Sequence, residues 1–375
     1  MGSSRARSAR VRPQPDRDRG RGGGPRVSPG MGDALLVLRR AAGLTQEQLA
    51  ERVGITQATL SRYENELRDV DRDAAERLAP ALGVTAAFLL HEFQMEGAIA
   101  ADAHMRRQKT ARPADWKHVE SRLNAHRMHS SFLLERMPMH PKNHVIQIDP
   151  DDTPPDDAAA MLRAAWRMPI GPVRNLTRWM ESAGIIVLEE DFGTARIDGM
   201  SQWAGSHAVI LVNSSRPIDR RRLTLAHELG HLVLHGQYVG IDVEEQANAF
   251  AAAFLMPEAA IGPDLRNLTL GKLLDLKAVW GVSMQALHER AFQLGKVTSQ
   301  ERSSFYKQMS KRGWRMREPG SDQLPDETPH LARNIGDGLR ELGLSDAEVQ
   351  RLIGASDDVV TPFASARSRL RAVRT

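Results

Sequence analysis

The chain has 375 residues, 41% of them hydrophobic and 26% charged, with no cysteine; at roughly 100 to 200 residues per domain it holds two or three folding units with ordinary cores. The lack of cysteine excludes disulfides, thiolate catalysis and thiolate-bound zinc, leaving His and carboxylate as the metal ligands to seek. No apolar run of about 18 residues occurs and the start lacks the apolar stretch of a secretory signal, which predicts a cytoplasmic protein without a membrane partner.

Residues 1–30 carry eight arginines against Asp16 and Asp18, a net of +6 in a chain whose whole is +4, so the remainder is close to −2. This Arg/Gly/Pro-rich segment reads as a disordered tail that touches nucleic acid non-specifically, or as sequence ahead of a start at Met31. From residue 31 to 92 the pattern changes to about five short amphipathic helices. Thr45 and Thr56 are N-cap residues, Gln48 completes a capping box with Thr45, and Gly43, Gly54 and Gly83 close helices. Within this bundle, a helix from Gln46, a turn at Gly54-Ile55 and a second helix from Gln57 have helix-turn-helix spacing, with Ala50, Val53, Ile55, Leu60 and Tyr63 as apolar pins.

Those residues resemble the Cro/CI, or XRE, class of repressor heads over residues 32–92. The resemblance implies that Gln57, Ala58, Ser61 and Arg62 face the major groove of a double-stranded operator, that Gln46 and Thr56 meet phosphates, and that Arg39 pairs with Glu64. Gln suits adenine and Arg suits guanine by bidentate geometry. Such heads bind palindromes as dimers, so a homodimer is expected.

Residues 93–149 read as a polar helical linker ending in a Pro-rich break. Residues 150–312 alternate helices with the β-rich runs IIVLEEDF and HAVILVNSS, an α+β pattern, and residues 313–375 read as a helical region without evident chemistry. The fold expected is therefore multidomain: an all-α helix-turn-helix head, an α+β domain and a helical C-terminal region.

The densest chemistry is His227-Glu228-Leu229-Gly230-His231. On a helix the two imidazoles project from one face at a separation that one tetrahedral ion bridges, with Glu228 beside them. The bland alternative is two histidines on an ordinary helix face, but the apolar neighbours Leu225, Leu229, Leu232 and Val233 would bury them at a cost. Catalytic zinc (Zn2+) takes three protein ligands and one open position. By helical spacing Glu244 shares a face with Ala247, Asn248 and Ala251 and ranks first as third ligand, before Glu245 and Asp242. His235, one turn beyond His231, is placed about 6 Å further along the axis, which suits an outer or surface role.

LTLAHELGHLVLHG followed by EEQANAFAAAFLMP is similar to the ImmA/IrrE family of bacterial metallopeptidases, over roughly residues 150–312. The resemblance implies a gluzincin-like peptidase in which His227, His231 and Glu244 hold zinc and Glu228 is the general base. His207, Arg196 and Tyr238 are candidates by type for stabilising an oxyanion. The expected function is a DNA-bound regulator that cleaves a repressor-like protein or itself. The competing reading is a transcription factor or antitoxin-like regulator whose metal domain senses a ligand without proteolysis. A general housekeeping protease fits poorly with a DNA-binding head, and an intact Glu228 favours the peptidase, since a purely structural site has no use for a base.

Overall fold

The computed structural model describes residues 30–93, 112–236 and 242–363; the tail expected at 1–30 lies, apart from Gly30, outside them. The head consists of α1 (Met31–Ala41), α2 (Gln46–Val53), α3 (Gln57–Glu64), α4 (Arg72–Ala81) and α5 (Ala86–Leu89). Side chains of Thr45, Thr56, Asp71 and Thr85 accept the first free amides of α2 to α5, and Gln48 completes the capping box. Gly54, at φ 69°, ends α2 in the left-handed region and sets the turn between the two helices. Leu35, Leu49, Leu60, Leu78 and Phe88 fill the core, and Arg39 and Glu64 pair inside it, with Nη2 2.8 Å from Oε2.

Helix α6 (Pro113–Leu134) corrects the expectation of a polar linker arm. Trp116, Val119 and Leu123 lie in the core against the sheet, while Met128 and Phe132 lie in the core of the head. Its polar residues are also committed: Arg127 donates to the Trp203 carbonyl, and Arg122 and His126 both pair with Glu190. The helix thus joins the head to the rest of the fold through packing, and its charges are spent on that packing.

Next come α7 (Pro155–Ala165), α8 (Leu176–Ser182), β1 (Ile186–Glu190), β2 (Gly199–Ala204) and β3 (His207–Asn213). The sheet order is β1-β3-β2, with β3 parallel to β1 and antiparallel to β2, so β2 is an edge strand. Strand β1 and β3 are covered on both faces, which is why they read as continuous apolar runs rather than alternating ones. Val187, Ile210 and Val212 face one core; Ile186, Leu188, Val209 and Leu211 face the other. The first core is closed by α9 (Ile218–Leu234), α10 (Val243–Leu255), α11 (Glu258–Ile261), α12 (Leu270–Trp280), α13 (Met284–Gln293) and α14 (Ser299–Lys311).

The second core needs α6 together with α15 (Leu331–Glu341) and α16 (Asp346–Leu352), so the C-terminal region supplies half of one layer. The chain reaches that layer through buried ion pairs. Lys277 Nζ meets Asp219 at 2.5 Å, Glu318 at 2.9 Å and Ser321 at 2.9 Å, and Arg222 pairs with Glu327. Beyond α16 it returns to the head, where Thr85 donates to the Gly354 carbonyl (2.9 Å) and Ser356 to that of Gly83 (3.0 Å). Gly354, at φ 73°, lies so close to Phe88 that a Cβ would stand 2.1 Å from its ring.

Candidate functional site

Leu225, Leu229, Leu232 and Val233 seat α9 in the main core, and the i, i+4 spacing then turns His227 and His231 toward α10. The approach of α10 depends on Gly230: a Cβ there would meet the Ala247 Cα and carbonyl oxygen at 3.2 Å and the Phe250 ring at 3.1 Å. Near-contact of the two backbones brings Glu244, one turn before Ala247, over the histidines.

The His227 and His231 Nε2 atoms are 2.9 Å apart, and the Glu244 carboxylate oxygens stand 3.5 and 3.6 Å from them. Among the described residues this is the one cluster of ligand atoms suited to a metal, all within 4.8 Å of one another. Outer partners fix which nitrogens face inward. His227 Nδ1 donates to Asn248 Oδ1 at 3.0 Å. His235 Nε2 donates to Gln246 Oε1 at 2.8 Å, so its Nδ1 is left to accept from His231 Nδ1 at 3.0 Å. His227 and His231 can thereby carry their protons outside and direct a lone pair toward Glu244, the tautomers a metal would require. Burial disfavours a charged His227, but the Glu244 hydrogen bond and the charges of Glu228 and Glu244 outweigh it and raise its pKa. Two imidazoles and one carboxylate converging within 4.8 Å fit the donor set of zinc.

Glu228 is buried beside this cluster, and its Oε2 accepts from Ser201 Oγ at 2.7 Å. Ser201 belongs to β2, whose Gly199 runs so close to α9 that a Cβ would lie 2.6 Å from Thr224. The edge strand therefore passes close to the acid at Gly199 and Ser201, while its Trp203 carbonyl is taken by Arg127. A cleft of about 550 Å³ opens there, lined by His227, Glu228 and Glu244 and continuing past Met256 and Arg290 to Arg315.

Glu245 and Asp242, the other acids considered, are exposed. His235 is buried at the end of α9 and braces His231 from outside. His207 and Arg196 do not line the cleft, and Tyr238 lies outside the described residues. Sequence reading missed Ser201, because GMSQWA carries too few β-branched residues to announce a strand, and Gln246, whose role depends on the bend that ends α9 at His235.

In the head, Gln57, Ala58 and Arg62 are exposed on α3, and Ser61 is partly covered by Asn65, whose Nδ2 approaches its Oγ at 3.3 Å. Gln57 Nε2 donates to Gln46 Oε1 at 2.6 Å, and Gln46 Nε2 to Glu64 at 2.8 Å, tying both glutamines to the buried Arg39 pair. Thr56 spends its hydroxyl on capping α3, where it also meets Thr59 Oγ1 at 2.9 Å.

Residues 180–292 match the family model of the IrrE N-terminal-like domain, and residues 36–89 match the helix-turn-helix model. The radiation response metalloprotease IrrE of Deinococcus radiodurans is 42% identical over 75 residues, covering 16% of this chain and 23% of that protein. The chain thus spans under a quarter of that relative's length. No helix among the described residues is long and apolar enough to cross a membrane. The chain carries a DNA-binding helix-turn-helix domain of the XRE type followed by a domain of the IrrE/ImmA metallopeptidase type.

Proposed function

We propose that the protein is a transcriptional regulator whose metallopeptidase domain is a zinc endopeptidase that cleaves a repressor-like protein or the chain itself. The observation that carries this reading is Glu228: a buried carboxylate beside three converging ligands, hydrogen-bonded to the edge strand and open to a cleft. His227, His231 and Glu244 would hold the ion, which when bound acts as a Lewis acid and lowers the pKa of water. Glu228 takes a proton from the attacking water and passes it to the leaving amine nitrogen. The free edge of β2 suits an extended peptide, whose backbone would add to the sheet and be held straight across Glu228. In the head, Gln57, Ala58, Ser61 and Arg62 would read base edges of a double-stranded operator, with Gln46 and Thr56 at the phosphates and a homodimer spanning two half-sites.

The test compares wild type with Glu228→Gln, both zinc-loaded, for cleavage of co-expressed helix-turn-helix repressors and for transcription from the neighbouring promoter. Loss of both in the variant is expected. Regulation that persists without any cleavage by wild type would overturn the peptidase reading in favour of a ligand-sensing transcription factor.

A further inference from the structure

The cleft beside the metal cluster is also walled by Arg315, Met316 and Glu318, beyond the stretch that matches the IrrE-like domain. This wall is anchored firmly. The Glu318 carboxylate accepts from the amides of Met284 (2.6 Å) and Gln285 (3.0 Å) at the start of α13 and from Lys277 Nζ (2.9 Å). The Arg315 carbonyl accepts from Gln285 Nε2 at 3.2 Å. The backbone bearing Arg315 is therefore held, while its side chain stays exposed.

The cleft's charges can be compared. Arg220 is paired with Asp198 and Arg290 with Asp156. Among the acids, Asp219 and Glu318 hold Lys277, and Glu289 accepts from Arg302 (2.8 Å) and the Tyr306 hydroxyl (2.6 Å). Arg315 differs from the other cleft arginines: its guanidinium sits over the Tyr306 ring, 4.6 Å from its centre, a contact with the ring face that uses none of its N–H donors on a carboxylate. It also lines a second, more open hollow along α14, where Ser303 and Ser310 add hydroxyls and Lys307 a cation beside Arg302, which Glu289 holds.

We propose that Arg315 is a specificity-determining residue that selects peptides with an acidic side chain on the stretch of substrate leaving the metal cluster toward α14. A guanidinium fork matches a carboxylate in bidentate geometry, and the hollow beside it continues the same preference along the peptide. This rests on the peptidase reading and names its substrate class.

The experiment separates the two ideas by measuring binding and cleavage independently. Fluorescein-labelled extended peptides, identical except for Glu, Gln or Lys at each position in turn, are titrated into zinc-loaded Glu228→Gln protein by anisotropy. At the position facing Arg315, Glu is expected to bind roughly 1.5- to fivefold tighter than Gln, the range for an exposed charged pair, and the advantage should shrink as salt rises. Arg315→Gln should abolish the preference and Arg315→Glu should shift it to Lys, with zinc content unchanged in both. Equal binding of Glu, Gln and Lys peptides, no binding by any of them, or a preference that survives Arg315→Glu would overturn the proposal. Cleavage of the same peptides by wild type is followed in parallel: charge-selective binding without cleavage would leave Arg315 as the selector and sink the peptidase reading instead.

Discussion

The Nδ1 atoms of His231 and His235 lie 3.0 Å apart, and the second ring is held in turn by Gln246 Oε1 at 2.8 Å. This relay orients His231 from outside and fixes its tautomer, as outer partners do at metal sites. Replacing His235 by Ala should lower zinc affinity about 10- to 100-fold, and Gln246→Ala should do so less strongly. Competition with a chelator of known affinity measures this. Undiminished affinity in His235→Ala would show that His231 needs no brace.

The contact of Gly230 with Ala247 sets the distance between α9 and α10. In an isolated helix Gly→Ala would add up to about 1 kcal/mol. Here the new Cβ meets backbone rather than a movable side-chain tip, and overpacking of this kind costs about 1 to 3 kcal/mol. Gly230→Ala should therefore lower the melting temperature of the apo protein and weaken zinc binding, since Glu244 rides on the displaced helix. A stabilised variant with full zinc affinity would show that the two helices separate freely.

Much of this was legible beforehand because it is local. His227, Glu228 and His231 share one helix, and i, i+4 geometry needs nothing else. The head was announced by its caps and by the glycine turn at Gly54, which pins the two helices within a few residues. The role of α6 was hidden because Arg122, His126 and Arg127 look like solvated charges until Glu190 and the Trp203 carbonyl, more than 60 positions away, come into reach. The same holds for the C-terminal region: Leu339, Val349 and Ile353 face the second side of the sheet, and nothing local to them says what they cover. Arg315 reads as one more exposed arginine until folding places it in the cleft.

The glutamine pair in the head leads to a further prediction. Because Gln57 is tied to Gln46, and Gln46 to Glu64, losing Gln57 should disturb two side chains of the proposed reading face, whereas Arg62 is exposed on the same helix. Arg62→Ala should cost about 1 to 3 kcal/mol of binding to a selected operator and relax the preference at one base pair. Gln57→Ala should weaken binding and leave its salt dependence unchanged, because neutral amides release no counterions from the phosphates. Anisotropy titrations at several salt concentrations read both effects; operator affinity and base preference unchanged in a variant would remove that residue from the reading face.

His129 gives the fold a pH dependence of its own. Its ring stacks on Phe88 of the head at 4.4 Å, and its Nδ1 donates to the Ile353 carbonyl at 2.6 Å, so head, α6 and C-terminal region meet there. Burial, helped by neighbouring His126 and partly offset by the Ile353 bond, pushes its pKa from 6.5 down to about 4. The folded state therefore resists a proton that the unfolded chain accepts. Stability from this group is complete above about pH 6.5 and is lost as pH falls from there to about 4. The full shift corresponds to roughly 3 kcal/mol; the ring keeps partial solvent access, so about 2 kcal/mol is expected. Other groups in the region act elsewhere on the scale. Glu190, despite burial, is held below its ordinary 4.5 by His126 and Arg122, and its contribution fades only below that value. Denaturant unfolding at pH 7.5, 6.0 and 5.0 should therefore show a decline in wild type that His129→Gln flattens over this interval. A decline of equal slope in the variant would assign the acid sensitivity to other groups and leave His129 as packing alone.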